Sequence, residues 1–300
     1  MRSGICFLTH CGIGARLTKR AIEAALDDRV TICASQLQCL ARWGRGMPFV
    51  TNQGVRIHYE TIGNGPALVL HHGTFGSGAT WIDLGYVDTL KADHQVILPD
   101  SRGHGQSDKP HDPTAYDLAR RTSDVLAVLD DLGIQKADYF GYSLGGWIGF
   151  GLAKHAPDRF RSFIFGGSHP YAENMQPFRD LMPRDRDAFA AMVDQIFGDR
   201  LTAVIRTRLL ASDLDALRAL TQDRESNADV LPSMTMPCLL FVGELDPRLA
   251  QVRQCASELP NVTFFSLPEC DHVATPARCD FVIPHLQAFL SKVHTDNWRC

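Results

Sequence analysis

No stretch of this 300-residue chain is apolar for long enough to cross a bilayer. Runs such as Ala67–Leu70 and Cys238–Val242 fall far short of the roughly 20 residues a membrane-spanning helix needs. A basic excess is missing too. The 30 Lys+Arg and 34 Asp+Glu leave a net charge of −4, which cannot neutralise a phosphate backbone and argues against a nucleic-acid partner. C-x-x-C pairs are absent, and the nine cysteines are an odd set, so neither a disulfide framework nor a zinc site is indicated. Cys6, Cys11, Cys33 and Cys39 lie near the start and Cys238, Cys255, Cys270, Cys279 and Cys300 in the last third; the spread fits reduced thiols in a cytoplasmic protein. What the chain does have is 45% hydrophobic residues against 21% charged, enough to bury one large core or two small ones.

The charge is unevenly placed. Up to Gly46 there are seven Lys+Arg and three acids, a net of +4, which leaves 23 basic and 31 acidic residues, or −8, in the remainder. Ile5–Leu8 is shorter than the apolar core of a signal peptide. Leu17–Leu26 has the composition of one helical segment, but no strand pattern joins it to the rest of the chain. Residues 1–46 are therefore read as an extension and 47–300 as the folded domain.

From Met47 onward, short β-rich runs alternate with longer helical ones. Strands are expected at Val55–Tyr59, Ala67–His71, Gln95–Leu98, Ala137–Tyr142, Phe160–Phe165, Cys238–Val242 and Val262–Ser266, each stopped by turn-forming residues. Helices are expected at Tyr116–Leu132, Leu144–His155 and about Ala277–Val293. Such alternation implies an α/β fold, a mostly parallel sheet with helices on both faces. The alternation stops between about residues 169 and 235. There Phe189, Met192, Val193, Ile196 and Phe197 form one apolar helical stripe, and Leu214, Leu217 and Leu220 another behind a candidate N-cap at Ser212. An all-helical insertion between two strands of such a sheet is expected to cap the strands' carboxyl ends, where these sheets place their ligands.

The chemistry centres on Gly141-Tyr-Ser143-Leu-Gly145, a G-x-S-x-G set where a predicted strand ends and a predicted helix begins. A serine on so sharp a turn has its Oγ presented outward, with neighbours lacking Cβ so that strand and helix can approach. Serine needs a general base, and the base needs an orienting group. His272 follows the strand Val262–Ser266, and Asp246 follows Cys238–Val242. The order Ser143, Asp246, His272 is that of a triad on an α/β-hydrolase sheet. Glu244 and Asp271 are the rival acids. Oxyanion donors are expected from the backbone N–H of Leu144 and of Thr74, with Phe75 as the alternative to Thr74. His71 and His72 invite a metal reading, but neighbours on an extended segment point to opposite faces and no third ligand is evident, so no metal is expected.

With these motifs, His72-Gly-Thr74, Asp100-Ser-Arg102-Gly-His104-Gly-Gln-Ser107-Asp108, the turn at Ser143, Gly243-Glu-Leu-Asp246 and Asp271-His272, the chain resembles the α/β-hydrolase fold enzymes of the serine esterase and lactonase kind over about Val50–Val293. The resemblance implies an eight-stranded sheet, a short helical cap and no cofactor. It also implies that the Arg102 and His104 loop supports the nucleophile structurally. Two departures are informative. Serine stands where epoxide hydrolases and haloalkane dehalogenases need a carboxylate, and Thr74 stands where many relatives carry a bulky apolar residue.

The resulting expectation is a hydrolase cleaving small to medium, mainly uncharged carboxylic esters or lactones through a Ser143 acyl-enzyme, as a monomer or homodimer. Phe75, Trp147, Phe189, Met192 and Val193 are expected to line its substrate pocket. Carbon–carbon bond hydrolysis, acyl transfer and cofactor-free oxygenation use the same scaffold, as does a receptor that binds a small ligand.

Overall fold

The computed structural model describes residues 48–296; the expected extension 1–46, with its helical segment Leu17–Leu26, lies outside them. Eight strands form one sheet: β1 (Phe49–Asn52), β2 (Val55–Ile62), β3 (Ala67–His71), β4 (Gln95–Pro99), β5 (Ala137–Tyr142), β6 (Phe160–Gly166), β7 (Cys238–Gly243) and β8 (Val262–Leu267). Their spatial order is β1-β2-β4-β3-β5-β6-β7-β8. The β1–β2 and β2–β4 pairs are antiparallel, and the pairs from β3–β4 onward are parallel. Strand β1 is a surface hairpin arm. It is joined to β2 by Gln53 and Gly54, both at positive φ (50° and 79°), the backbone of a tight two-residue hairpin turn.

The central strands β3, β5 and β7 are buried throughout, which is why they read as continuous apolar runs. Alternate residues serve opposite layers. Ala67, Val69, Leu240 and Val242 join a cluster with Val125, Leu129, Ile148 and Val252. Leu68, Leu70, Leu239 and Phe241 join another with Trp81, Tyr86, Val282 and Leu286. The first layer is covered by α3 (Leu118–Asp131), α4 (Leu144–His155) and α9 (Leu249–Glu258), the second by α1 (Gly78–Asp83), α2 (Tyr86–Leu90) and α10 (Cys279–Asp296). The expected helix from Tyr116 is split: Pro113–Tyr116 is a 3₁₀ turn, and Asp117 caps α3 by accepting the Arg120 N–H at 2.7 Å.

Between β6 and β7 lie α5 (Gln176–Leu181), α6 (Arg186–Phe197), α7 (Ala203–Leu210) and α8 (Leu214–Leu220). They close a third apolar cluster around Phe189, Val193, Leu209 and Leu217, which Tyr116 from the turn before α3 joins. The N-cap of α8 is Asp213, not Ser212, because its carboxylate accepts the N–H groups of Asp215 and Ala216. Among the described residues no helix is long and apolar enough to cross a membrane, and Cys238, Cys255, Cys270 and Cys279 are free thiols.

Candidate active site

Strand β5 ends at Tyr142, α4 begins at Leu144, and Ser143 between them is held at φ 53°, ψ −109°. Positive φ in a residue bearing a Cβ costs energy, and close packing enforces it. A Cβ on Gly141 would lie 2.3 Å from the Gly145 carbonyl, and one on Gly145 would lie 2.3 Å from the His71 carbonyl oxygen. The two glycines of the motif are therefore what lets α4 start directly against the sheet. The turn is tied down by the Ser143 N–H, which donates to Gly166 O at 2.8 Å, and the Gly145 N–H, which donates to His72 O at 3.1 Å.

The loops after β7 and β8 bring Asp246 and His272 to this turn. His272 Nε2 lies 3.0 Å from Ser143 Oγ, and His272 Nδ1 lies 2.5 Å from Asp246 Oδ2. The Asp246 side chain is fully buried, whereas a quarter of the His272 ring is exposed. Asp246 is fixed by the Arg248 N–H, which donates to its Oδ1 at 2.9 Å. Tyr142, the variable residue of the motif, donates its hydroxyl to the His272 carbonyl at 2.6 Å, a support that sequence reading missed. The rival acids are engaged elsewhere: Glu244 accepts from Ser266 Oγ, and Asp271 caps the Val273 and Ala274 N–H groups and pairs with Arg200 at 2.8 Å.

The loop after β3 lies against the serine; a Cβ on Gly73 would sit 3.4 Å from Ser143 Cβ. Neither the Thr74 nor the Leu144 N–H has a backbone acceptor among the described residues. Three buried imidazoles hold this loop. His71 spans Tyr139 Oη (2.7 Å) and Ser101 Oγ (2.6 Å). His72 donates from Nδ1 to Gly73 O and accepts the Ser101 N–H at Nε2. His104 Nε2 reaches Thr74 O at 2.6 Å. Burial lowers the pKa of all three, that of His104 to about 3, so they are neutral struts. Arg102 completes the loop through a two-pronged pair with Asp124, at 2.6 and 2.7 Å.

A cavity of about 520 Å³ has Thr74, Leu144 and Trp147 in its wall. Phe189, Met192 and Val193 do not line it. Phe189 and Val193 are 0% and 1% exposed inside the helical insertion's own core, with Met192 packed against it, since an apolar stripe on a helix of so small a layer is consumed by its neighbours. Phe75 turns toward that core, with its ring centroid 5.6 Å from Phe178 and 6.2 Å from Phe197. The cavity wall holds the expected Trp147 and also includes Arg121 and Arg224.

The sequence profile of the α/β-hydrolase fold matches residues 66–229, more than half of the chain. The chain belongs to the α/β-hydrolase fold family. It is 27% identical over 240 residues to the pimeloyl-(acyl-carrier protein) methyl ester esterase of Vibrio parahaemolyticus, covering 72% of this chain and 91% of that protein. Among solved structures, the enol-lactonase from Burkholderia xenovorans LB400 superposes with a TM-score of 0.72 at 24% identity, covering 81% of this chain and all of that one. A thermophilic esterase from Thermogutta terrifontis gives a TM-score of 0.71 at 22% identity, over 83% of this chain and 98% of that one. At these identities the structures share the fold, and the esterase relative found by sequence supports hydrolase activity.

Proposed function

We propose that this hydrolase cleaves carboxylic esters or lactones through an acyl-enzyme on Ser143. The observation that carries the reading is the continuous relay from Ser143 Oγ through His272 to buried Asp246, at 3.0 and 2.5 Å. His272 Nε2 takes the hydroxyl proton as Ser143 Oγ attacks the carbonyl carbon, and Asp246 holds the opposite nitrogen and offsets the imidazolium charge. The tetrahedral oxygen receives the Leu144 and Thr74 N–H groups. Collapse expels the alkoxide with the proton from His272. Water, deprotonated by the same Nε2, then releases the acid and regenerates the serine. In a lactone the alcohol stays tethered to the acyl group, and the same steps give a hydroxy acid. The helical insertion acts as a cap over the site.

The test pairs a fluorophosphonate probe with Ser143→Ala. The probe is expected to label Ser143, and the variant to lose about three or more orders of magnitude in kcat with its fold retained. A natively folded Ser143→Ala protein with a tenth of wild-type ester turnover overturns the assignment.

A further inference from the structure

The wall facing Thr74 and Leu144 carries more positive charge than the fold neutralises. Arg224 is largely covered, its side chain 9% exposed. Its Nη1 donates to Glu173 at 2.9 Å, and neither Nε nor Nη2 has a partner among the described residues. Glu173 is not its partner alone, because Arg248 also donates to that carboxylate. Arg121 is 2% exposed and has no carboxylate partner: Nε and Nη2 donate to the Tyr116 and Leu220 carbonyls at 2.7 and 2.8 Å, and Nη1 is buried with no acceptor. Both guanidiniums lie over the Trp147 ring, at 5.9 Å for Arg121 and 5.2 Å for Arg224. The Trp147 indole N–H is likewise buried without an acceptor.

The acids of the cavity wall do not restore the balance. Asp117 caps α3 and pairs with Arg120, Asp223 pairs with Arg179, and Glu225 is exposed. A desolvated guanidinium is costly without a counter-charge. Burial accordingly pulls Arg121 down to about 9 and Arg224 to about 10, the charge of Arg224 adding to the depression at Arg121. Both remain cations at neutral pH.

Resting on the ester or lactone hydrolase reading, we infer that the substrate carries a carboxylate, received in this cavity by Arg224 and Arg121 beside the Trp147 ring. Glu173 is shared by Arg224 and Arg248 and Arg121 has no carboxylate partner, while the Nε–Nη2 edge of Arg224, a two-donor fork that matches a carboxylate, has no partner among the described residues. Thr74 and Leu144, whose N–H groups are assigned to the oxyanion, share this cavity's wall with both arginines, so one substrate molecule can present its ester to the serine and its carboxylate to the guanidiniums, as in a dicarboxylic hemiester.

The test compares monophenyl glutarate, a monoanion, with phenyl pentanoate, its neutral counterpart of equal chain length, after subtracting spontaneous hydrolysis. Wild-type protein is expected to favour the hemiester in kcat/KM by about tenfold or more. That ratio collapses in Arg224→Gln, recovers in part in Arg224→Lys, and shrinks as salt is added. Equal or reversed preference in the wild type, or an unchanged ratio in Arg224→Gln, overturns the inference. Calorimetry on Ser143→Ala, with both arginines intact, covers the case in which an arginine variant does not fold: monomethyl glutarate binds and methyl pentanoate binds at least about tenfold more weakly. If that discrimination holds while the wild type hydrolyses neither ester, the hydrolase reading falls and the carboxylate site stands. If both esters are hydrolysed without discrimination in either experiment, the hydrolase reading stands and the carboxylate site falls.

Discussion

His104 donates from Nε2 to the Thr74 carbonyl oxygen across 2.6 Å, beneath the backbone whose N–H is assigned to the oxyanion. The neutral ring has only one proton to give, and the longer 3.1 Å approach of Nδ1 to Arg102 O leaves Thr74 as its recipient. Because Thr74 O belongs to the Thr74–Phe75 peptide, a histidine in the Arg102 loop anchors the oxyanion loop one peptide beyond the assigned N–H, without touching substrate.

From that contact, His104→Phe is expected to lower kcat by roughly one to two orders of magnitude with KM changed far less, because a misdirected donor is missed mainly in the transition state. His104→Gln, which keeps a donor, recovers part of the loss. Equal effects of both variants on kcat and on thermal stability alone would reduce His104 to packing.

The same ring makes stability depend on pH, and the sign is fixed. In the unfolded chain histidine protonates near 6.5, whereas burial holds folded His104 at about 3. Between these values the unfolded state binds the extra proton, so stability is full above about pH 6.5 and falls as pH drops toward 3. One such group contributes about 2 kcal/mol of loss by pH 5. Thermal unfolding at pH 7 and pH 5 should show a smaller drop in His104→Phe than in the wild type; an identical drop contradicts a buried neutral ring.

The turn at Ser143 gives a sharper expectation. Gly145→Ala puts a methyl group 2.3 Å from the His71 carbonyl oxygen and 2.8 Å from its carbon, contacts with backbone that cannot swing aside. Strand β3 and helix α4 must separate, so turnover and melting temperature are expected to fall together. An active Gly145→Ala protein with unchanged melting would mean that the turn is looser than this packing.

Much of this was legible in the sequence, and the gaps have physical causes. Strands β3 to β7 stand out because central strands are apolar on both faces, while four-residue β1 is half-buried at the sheet edge and its Gln53-Gly54 turn lacks the Asn-Gly or Asp-Gly pair that marks such hairpins. Helices α1 and α2 are too short, at six and five residues, to show a period, and α9 carries only Val252 and Cys255 as buried markers. Ser143, Asp246 and His272 could be picked out because each sits where a strand ends. Arg121 and Arg224 could not: one lies in α3 and the other beyond α8, and only the folded chain sets both against Trp147. The apolar stripe of α6 was visible, but periodicity does not say whether an apolar face meets a ligand or a neighbouring helix.

Phe189 separates those two meanings. Its ring is wholly buried among Val193, Leu209, Leu217 and Phe75 and does not line the cavity beside Thr74 and Trp147. Phe189→Ala therefore leaves a void in the helical insertion and is expected to cost about 3 to 5 kcal/mol of local stability. The loss should appear as faster proteolysis or amide exchange over α5 to α8, with the central sheet protected as before. The ranking of esters by acyl chain length should stay as in the wild type, since no wall of the cavity has moved. Trp147→Phe is the contrasting variant: it removes the indole N–H and alters the surface that both guanidiniums face, so it should shift that ranking with a smaller change in stability. If Phe189→Ala reorders the acyl preference as strongly as Trp147→Phe does, the stripe on α6 meets substrate after all, and the insertion must open further in solution than its packing indicates.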